Sequence, residues 1–225
     1  MVLLAIARFT VRAKECCWLI GIRRRPTHRI ELVVPEDASS RTSVHHPANG
    51  IHDLDLLRHL CGEVRSVQAI TDNAVRGFAN EDSAAVLLQF EGGTLGTLNG
   101  SEAVAAPWRW ELDSGENPVY PRQAEQPCYL LAGSQGALSI PQLKRWHYAA
   151  DQVDAGWHEP LQVVEESCGG DEALRLQLQH FVRVARREVE PLVSAADAAR
   201  TLALIEAIRE AAATGRACPP ALIEA

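Results

Sequence analysis

Apolar residues recur at helical spacing in the segment that follows residue 49. In "HDLDLLRHLCG", Leu54, Leu57 and Cys61 are three and then four residues apart, so they share one face of a helix. The pattern predicts an amphipathic helix over 53–61. Gly62 is the residue type that commonly ends such a helix. The apolar face of this helix is expected to lie on a sheet.

Apolar and polar residues alternate through most of the middle of the chain, which is typical of half-buried strands. Such runs occupy 64–75, 82–90, 94–104, 108–114 and 128–141, and shorter ones lie in "LKRWHYA" and "PLQVVEE". The run 128–141 holds two short strands around a glycine-containing turn, and "EGG" after residue 90 predicts a hairpin. Consecutive strands with short links predict an antiparallel sheet.

Two helices are predicted at the end of the chain. The first, over 171–188, places four apolar residues on one stripe: Leu174, Leu178, Phe181 and Val182. The second covers 194–215, with Ser194 as its expected N-cap, Asp197 three residues later, and Gly215 at its end. Together these elements predict an α+β fold, a large, open, mostly antiparallel sheet with helices packed on one face.

The first 48 residues follow a different pattern. They show no clear apolar period and hold one expected strand, from Arg29 to Val34. The sequence therefore predicts two parts, an irregular or remnant N-terminal segment over 1–48 and a folded domain over 49–225.

The net charge of −7 is unevenly distributed along the 225 residues. Residues 1–45 carry 8 basic and 4 acidic residues, whereas residues 46–225 carry 14 basic and 25 acidic ones. An acidic body argues against nucleic acid as a partner. No apolar run reaches the roughly 20 residues that cross a bilayer, so no membrane partner is expected. Six cysteines without a C-x-x-C pair indicate reduced thiols in a cytoplasmic protein.

Four blocks of the sequence together resemble a known family. They are "GIHDLDLLRHLCGEVRSVQA", "EDSAAVLLQFEGGTLGTL", "SQGALSI" and "VSAADAARTLALIEAIREAAATG". In this order, over residues 49–215, they resemble the C-terminal domain of the Gfo/Idh/MocA family of NAD(P)-dependent oxidoreductases. The resemblance implies a dehydrogenase of a sugar or polyol that uses NAD or NADP. It also implies that this domain carries the substrate pocket and much of an oligomer interface.

The resemblance assigns a catalytic role to His52. Family members commonly carry D-x-G-x-H at the start of this domain, and the histidine acts as acid or base on a substrate hydroxyl. His52 in "ANGIH" matches that histidine, and an imidazole suits proton transfer near neutral pH. Ala48 replaces the usual aspartate, and Asn49 is the expected polar substitute and substrate contact. The alternative is that His52 only caps the helix or bonds Asp55, a carboxylate expected to have a structural role in the first turn.

Two departures from the family pattern concern catalysis and the cofactor. The glycine-rich dinucleotide turn is missing, because "EGGTLG" at 91–96 joins two expected strands rather than a strand and a helix. The family's E-K-P segment with its lysine is missing too, since the lysines are only Lys14 and Lys144. We therefore expect a truncated dehydrogenase that has no cofactor-binding residues and is inactive alone. A non-catalytic binding or oligomerisation module is the alternative.

The segment "WRWELDS" adds candidate substrate contacts. On a strand over 108–114, Trp108 and Trp110 share a face and can stack on a sugar ring. The alternative for both is a place in the core or in an interface. The histidines near the first helix do not indicate a metal site, because their spacing does not make them converge. These histidines are His45, His46, His52 and His59.

The sheet face away from the helices is expected to expose an apolar patch. Its expected members are Val86, Leu88, Leu95 and Leu130. A patch of that size exceeds what a monomer normally exposes, so we expect a homodimer or a higher homo-oligomer. His52 is expected at the edge of the sheet, partly exposed, beside Asn49 and within reach of the Trp108–Trp110 strand.

Overall fold

The computed structural model describes residues 29–35, 50–77, 79, 81–108, 110–115, 118–123, 126–134, 136–149, 158–166 and 173–223. The strands are β1 (Arg29–Pro35), β2 (Val64–Asp72), β3 (Ser83–Phe90), β4 (Leu95–Ser101), β5 (Tyr129–Gly133), β6 (Gly136–Ile140), β7 (Lys144–His147) and β8 (Gln162–Glu165). The helices are α1 (Gly50–Cys61), α2 (Trp110–Ser114), α3 (Ala173–Ala185) and α4 (Ala195–Thr214). Most of 1–48 lies outside these residues, so the division of the chain at residue 48 stays a prediction.

The strands form one open sheet in the order β2-β3-β4-β1-β5-β6-β7-β8. Its two halves, β2 to β4 and β5 to β8, are antiparallel throughout. Strand β1 joins these halves, because it pairs in parallel with β4 and antiparallel with β5. The predicted α+β class, with its large and mostly antiparallel sheet, is confirmed.

The hydrophobic core lies on the sheet face that α1 and α4 cover. Val86, Leu88 and Phe90 of β3 belong to one buried cluster with helix residues such as Leu56 and Ile208. The prediction that Val86 and Leu88 lie on the open face is therefore wrong. Alternation shows which residues of a strand share a face, but it does not show which face meets the core.

The open face of the sheet carries apolar side chains that differ in part from the predicted ones. Leu95 and Leu130 are exposed there, as predicted, and the strand register places Leu87 and Ile70 on the same face. Polar residues such as Gln89, which pairs with Leu95, lie between them. The exposed apolar residues are thus separated along the face rather than forming one continuous strip.

The predicted C-terminal end of α1 and both predicted ends of α4 are confirmed. Helix α1 ends at Cys61, and the amide of Gly62 donates to the Arg58 carbonyl oxygen at 2.9 Å. At the start of α4, the Ser194 hydroxyl accepts a hydrogen bond from the Asp197 amide at 3.1 Å. Gly215 closes α4 with a positive φ of 66°. The capping residues of the sequence therefore fix both ends of α4.

The predicted strand over 108–114 is wrong. The segment contains the short helix α2, whose Leu112 carbonyl oxygen accepts from the Gln123 amide at 2.8 Å. Asp113 is buried beneath this turn. Apolar residues at every second position over so few residues fit one helical turn as well as a strand, so the period alone does not decide.

The predicted helix is present as α3, but its expected packing on the sheet is not found. The structure gives it as Ala173–Ala185, shorter than the predicted 171–188, and none of its residues is buried. Its apolar stripe is exposed along the whole length: Leu174, Leu178, Phe181 and Val182.

Among the described residues, no helix combines the length and the apolarity that crossing a bilayer requires.

Candidate functional site

His52 lies in the first turn of α1, which begins at Gly50 rather than at residue 53. The side chain is partly buried, in line with its expected partial exposure. Asn49 lies outside the described residues, so its place beside His52 stays a prediction. The first turn of a helix also has a positive electrostatic potential, because its amide groups point outward without helical partners.

Asp53, the residue after His52, points into the body of the domain. It is 9% exposed, and its Oδ1 accepts a hydrogen bond from the Tyr129 hydroxyl. Tyr129 begins β5 and is itself 2% exposed. A buried carboxylate needs a donor to offset its loss of water, and the phenol supplies one. The start of α1 is therefore attached to the middle of the sheet.

Trp110 belongs to the same group of contacts. Its ring meets the Tyr129 ring edge to face, with centroids 6.2 Å apart and planes at 63°. Trp108 is separate: it is 38% exposed, and its Nε1 donates to Gln126 Oε1 at 3.3 Å. The two tryptophans do not share a strand face, because Trp110 begins a helix. Trp110 supports Tyr129, and Trp108 keeps an exposed ring surface.

A second set of contacts fixes the other side of α1. Arg58 is buried, and its Nη1 donates to Thr201 Oγ1 at 2.6 Å and to the Asp197 carbonyl oxygen at 3.1 Å, both on α4. The Thr201 hydroxyl in turn donates to Asp55 Oδ1 at 2.8 Å. Asp55 is therefore a buried structural carboxylate between two helices, in line with its expected structural role.

The charge of Arg58 is well compensated. Its Nε and Nη2 donate to the two carboxylate oxygens of Glu63 at 2.9 and 2.8 Å, and Nη2 also reaches Asp197 Oδ1 at 3.1 Å. Burial by itself lowers the pKa of Arg58, but the hydrogen bonds and charges of Glu63 and Asp197 outweigh it, so the pKa is raised. The guanidinium remains charged and holds α1 on α4.

A small cavity lies next to the Asp53 side of α1. Its volume is about 50 Å³, and its lining includes Gly50, Asp53, Asp82 and Ile208. Binding sites for small molecules usually measure some 300 Å³ or more, so this space cannot hold a sugar. Among the described residues, no three His, Cys, Asp or Glu side chains group together as metal ligands do. The candidate site is therefore the surface at the start of α1, around His52.

Tyr129 and Asp53 are the site residues that sequence reasoning missed. In "CYLLAG", Tyr129 appears as one more apolar position of a strand, and nothing in the pattern pairs it with a residue on a distant helix. The one usable signal is the carboxylate of Asp53 in a first turn that otherwise faces the core. Such a group needs a buried donor, but the sequence does not say which one.

Comparisons with known proteins give a matching family and a relative. The protein-family model GFO_IDH_MocA_C, the C-terminal alpha/beta domain of an oxidoreductase family, matches residues 42–221. D-apiose dehydrogenase of Rhizobium rhizogenes is 28% identical over 174 residues, which cover 74% of this chain and 46% of that protein. The chain thus spans less than half the length of this relative.

Two solved structures share the fold. An NAD-binding protein from Listeria innocua matches with a TM-score of 0.66 and 19% identity, over 97% of this chain and 61% of that one. Levoglucosan dehydrogenase in complex with NADH and L-sorbose matches with a TM-score of 0.68 and 16% identity, over 97% of this chain and 65% of that one. At these identities the likeness shows the fold.

Proposed function

Because this chain belongs to the Gfo/Idh/MocA oxidoreductase family, we propose that it forms the substrate-binding part of an NAD(P)-dependent dehydrogenase of a sugar or polyol. The observation that carries the proposal is the placement of His52. It occupies the first turn of α1 at the position that matches the family histidine, with α1 attached to β5 through Asp53 and to α4 through Arg58. A catalytic side chain needs such a rigid support.

The proposed role of His52 is to exchange a proton with the substrate. Oxidation of a secondary alcohol releases a hydride and a proton, and an imidazole accepts a proton near neutral pH. A partly buried position leaves the ring accessible to a hydroxyl while limiting competition from water. Asn49 and Trp108, whose ring is partly exposed, are the other proposed substrate contacts.

In this proposal, the described residues do not supply the nicotinamide site. The glycines of 91–96 connect β3 to β4, two antiparallel strands, and no helix N-terminus follows them to receive a pyrophosphate. In this proposal, NAD or NADP is therefore held by residues other than the described ones, and this chain supplies the proton-transfer side of the reaction. We propose that the chain alone does not turn over substrate.

A carbohydrate substrate is favoured by the names of the relatives. One is a dehydrogenase of D-apiose, and another is a levoglucosan dehydrogenase whose structure holds L-sorbose. The three described cysteines, Cys61, Cys128 and Cys218, form no disulfide with one another, which supports a reducing, cytoplasmic location.

The test is sugar binding by the chain itself. Histidine-labelled protein is titrated with D-apiose, levoglucosan, L-sorbose and inositol, and the imidazole signals are followed by NMR. We expect at least one compound to shift the His52 signal, and His52→Ala to weaken its binding at least tenfold. His59→Ala, an exposed histidine on the same helix, is the matched control and should bind as the parent does.

Two results would contradict the proposal. One is that none of these compounds perturbs His52. The other is that the chain by itself reduces NAD or NADP with a polyol at roughly one turnover or more per minute, as measured by absorbance at 340 nm.

The open sheet face favours a second proposal, that the chain is a self-associating module. Ile70, Leu87 and Leu95 are each more than half exposed on this face, and association would bury them. Light scattering should then give about twice the chain mass of 24.6 kDa, and Leu87→Glu should restore the monomer. A parent protein that stays monomeric at micromolar concentration would rule this proposal out.

A further inference from the structure

The Tyr129–Asp53 hydrogen bond joins two parts of the fold directly beside His52. Asp53 follows His52 in the first turn of α1, whereas Tyr129 begins β5 in the middle of the sheet. Both side chains are almost completely buried. Because a buried hydrogen bond is costly to break, the contact holds the first turn against the sheet.

The phenol is itself held in place. Trp110 covers one edge of the Tyr129 ring in a T-shaped contact, and neighbouring β5 residues such as Leu131 are buried in the same core. A ring packed on all sides keeps its hydroxyl in one position. The orientation of the Asp53 carboxylate is therefore set from outside α1, by the sheet and by α2.

We propose that Tyr129 is a positioning residue for His52, acting through Asp53 to fix both the first turn of α1 and the negative charge beside the imidazole. Its importance for catalysis rests on the proposed function, but the physical effect on His52 does not. By donating to Asp53, the phenol withdraws part of the carboxylate charge from its surroundings. In this proposal, the imidazole of the preceding residue experiences a reduced negative charge.

Two substitutions change this charge in opposite directions. Tyr129→Phe keeps the ring but removes the donor, so the carboxylate charge acts more fully on His52 and favours the imidazolium form. Asp53→Asn keeps the shape but removes the charge, so it favours the neutral imidazole. Glu81 and Asp82 lie on the same cavity as Asp53, but they are unchanged in both variants.

The experiment is an NMR titration of the imidazole groups in the parent and in both variants. The His52 signal is assigned by its loss in His52→Gln. We expect the His52 midpoint to rise by about half a pH unit in Tyr129→Phe and to fall by a similar amount in Asp53→Asn. His180, on helix α3, is the internal reference for the histidine signals. Tyr120→Phe, an exposed tyrosine, should leave every midpoint unchanged.

The outcome separates this inference from the proposed function. An unchanged His52 midpoint in both variants, or shifts in the same direction, would overturn the inference even if sugars bind. Opposite shifts without sugar binding would support the inference while the proposed function fails. If Tyr129→Phe does not fold, the isosteric Asp53→Asn decides alone: an unchanged His52 midpoint there overturns the proposal.

Discussion

Replacing Arg58 by alanine should destabilise the fold more than any other single substitution of a charged residue described above. The change removes a buried guanidinium that donates to Thr201, Glu63 and Asp197. It thereby removes the hydrogen bonds of Arg58 between α1 and α4, the two helices that cover the core. Asp55 and Thr201 remain buried next to the space that the guanidinium leaves.

The magnitude follows from which partners can reach water. The side chains of Glu63 and Asp197 are 45% and 36% exposed, so they are resolvated at little cost. Asp55 is 8% exposed, and its carboxylate loses a cation 3.6 Å away. Breaking a buried ion pair of this kind costs about 3–5 kcal/mol, and we expect a value of about 4 kcal/mol. For a domain of this size that lowers Tm by roughly 8–16 °C.

The assay is equilibrium unfolding in urea, monitored by circular dichroism. The free energy of unfolding must depend on urea concentration with the same slope in both proteins. Arg209→Ala is the matched control, because Arg209 is an exposed arginine on α4 that donates a hydrogen bond to Glu206 at 3.3 Å. It should change the free energy of unfolding by less than about 0.5 kcal/mol. A loss below about 1.5 kcal/mol for Arg58→Ala would refute the reasoning that the buried part of the network stabilises the fold.

Three further substitutions test the core and the sheet. Thr201→Val keeps the side-chain shape but removes the hydroxyl that bonds Asp55, so unfolding measurements should show a loss of about 1–3 kcal/mol. Leu56→Ala empties a fully buried position, and calorimetry should show a loss of about 2–5 kcal/mol. Gly136→Ala would place a Cβ atom 2.3 Å from the Trp146 carbonyl oxygen, so β6 and β7 must separate there. Hydrogen exchange should detect faster exchange in these two strands and not in β2 or β3.

The elements with a long apolar period and capping residues could be predicted from the sequence. Helix α4 is an example, because Ser194 and Gly215 mark its ends independently of any packing. The strands of 64–101 could be predicted because their alternation continues over many residues. The segment 108–114 is so short that its apolar pattern fits a strand and a helical turn equally well. The helix forms there because of the contacts that Asp113 and Leu112 make with the rest of the chain.

The candidate site could be predicted only in part. His52 was found through a resemblance, and its helix was found through periodicity. The contact between Asp53 and Tyr129 could not be predicted, because it joins residues that only the folded sheet brings together. The assignment of Val86 and Leu88 to the wrong face has a related cause. Which face of a strand is buried depends on where the helices pack, and local alternation does not contain that information.

The position of β1 has a consequence for the kinetics of folding. Strands β2 to β4 and β5 to β8 pair with their neighbours along the chain, so each half of the sheet can form through local contacts. Arg29 instead pairs with Leu95 on one side and with Ala132 on the other. Closing such long loops costs entropy before any contact is gained. We therefore expect each half to pair before β1 does, and the insertion of β1 between them to be the slow step that completes the sheet.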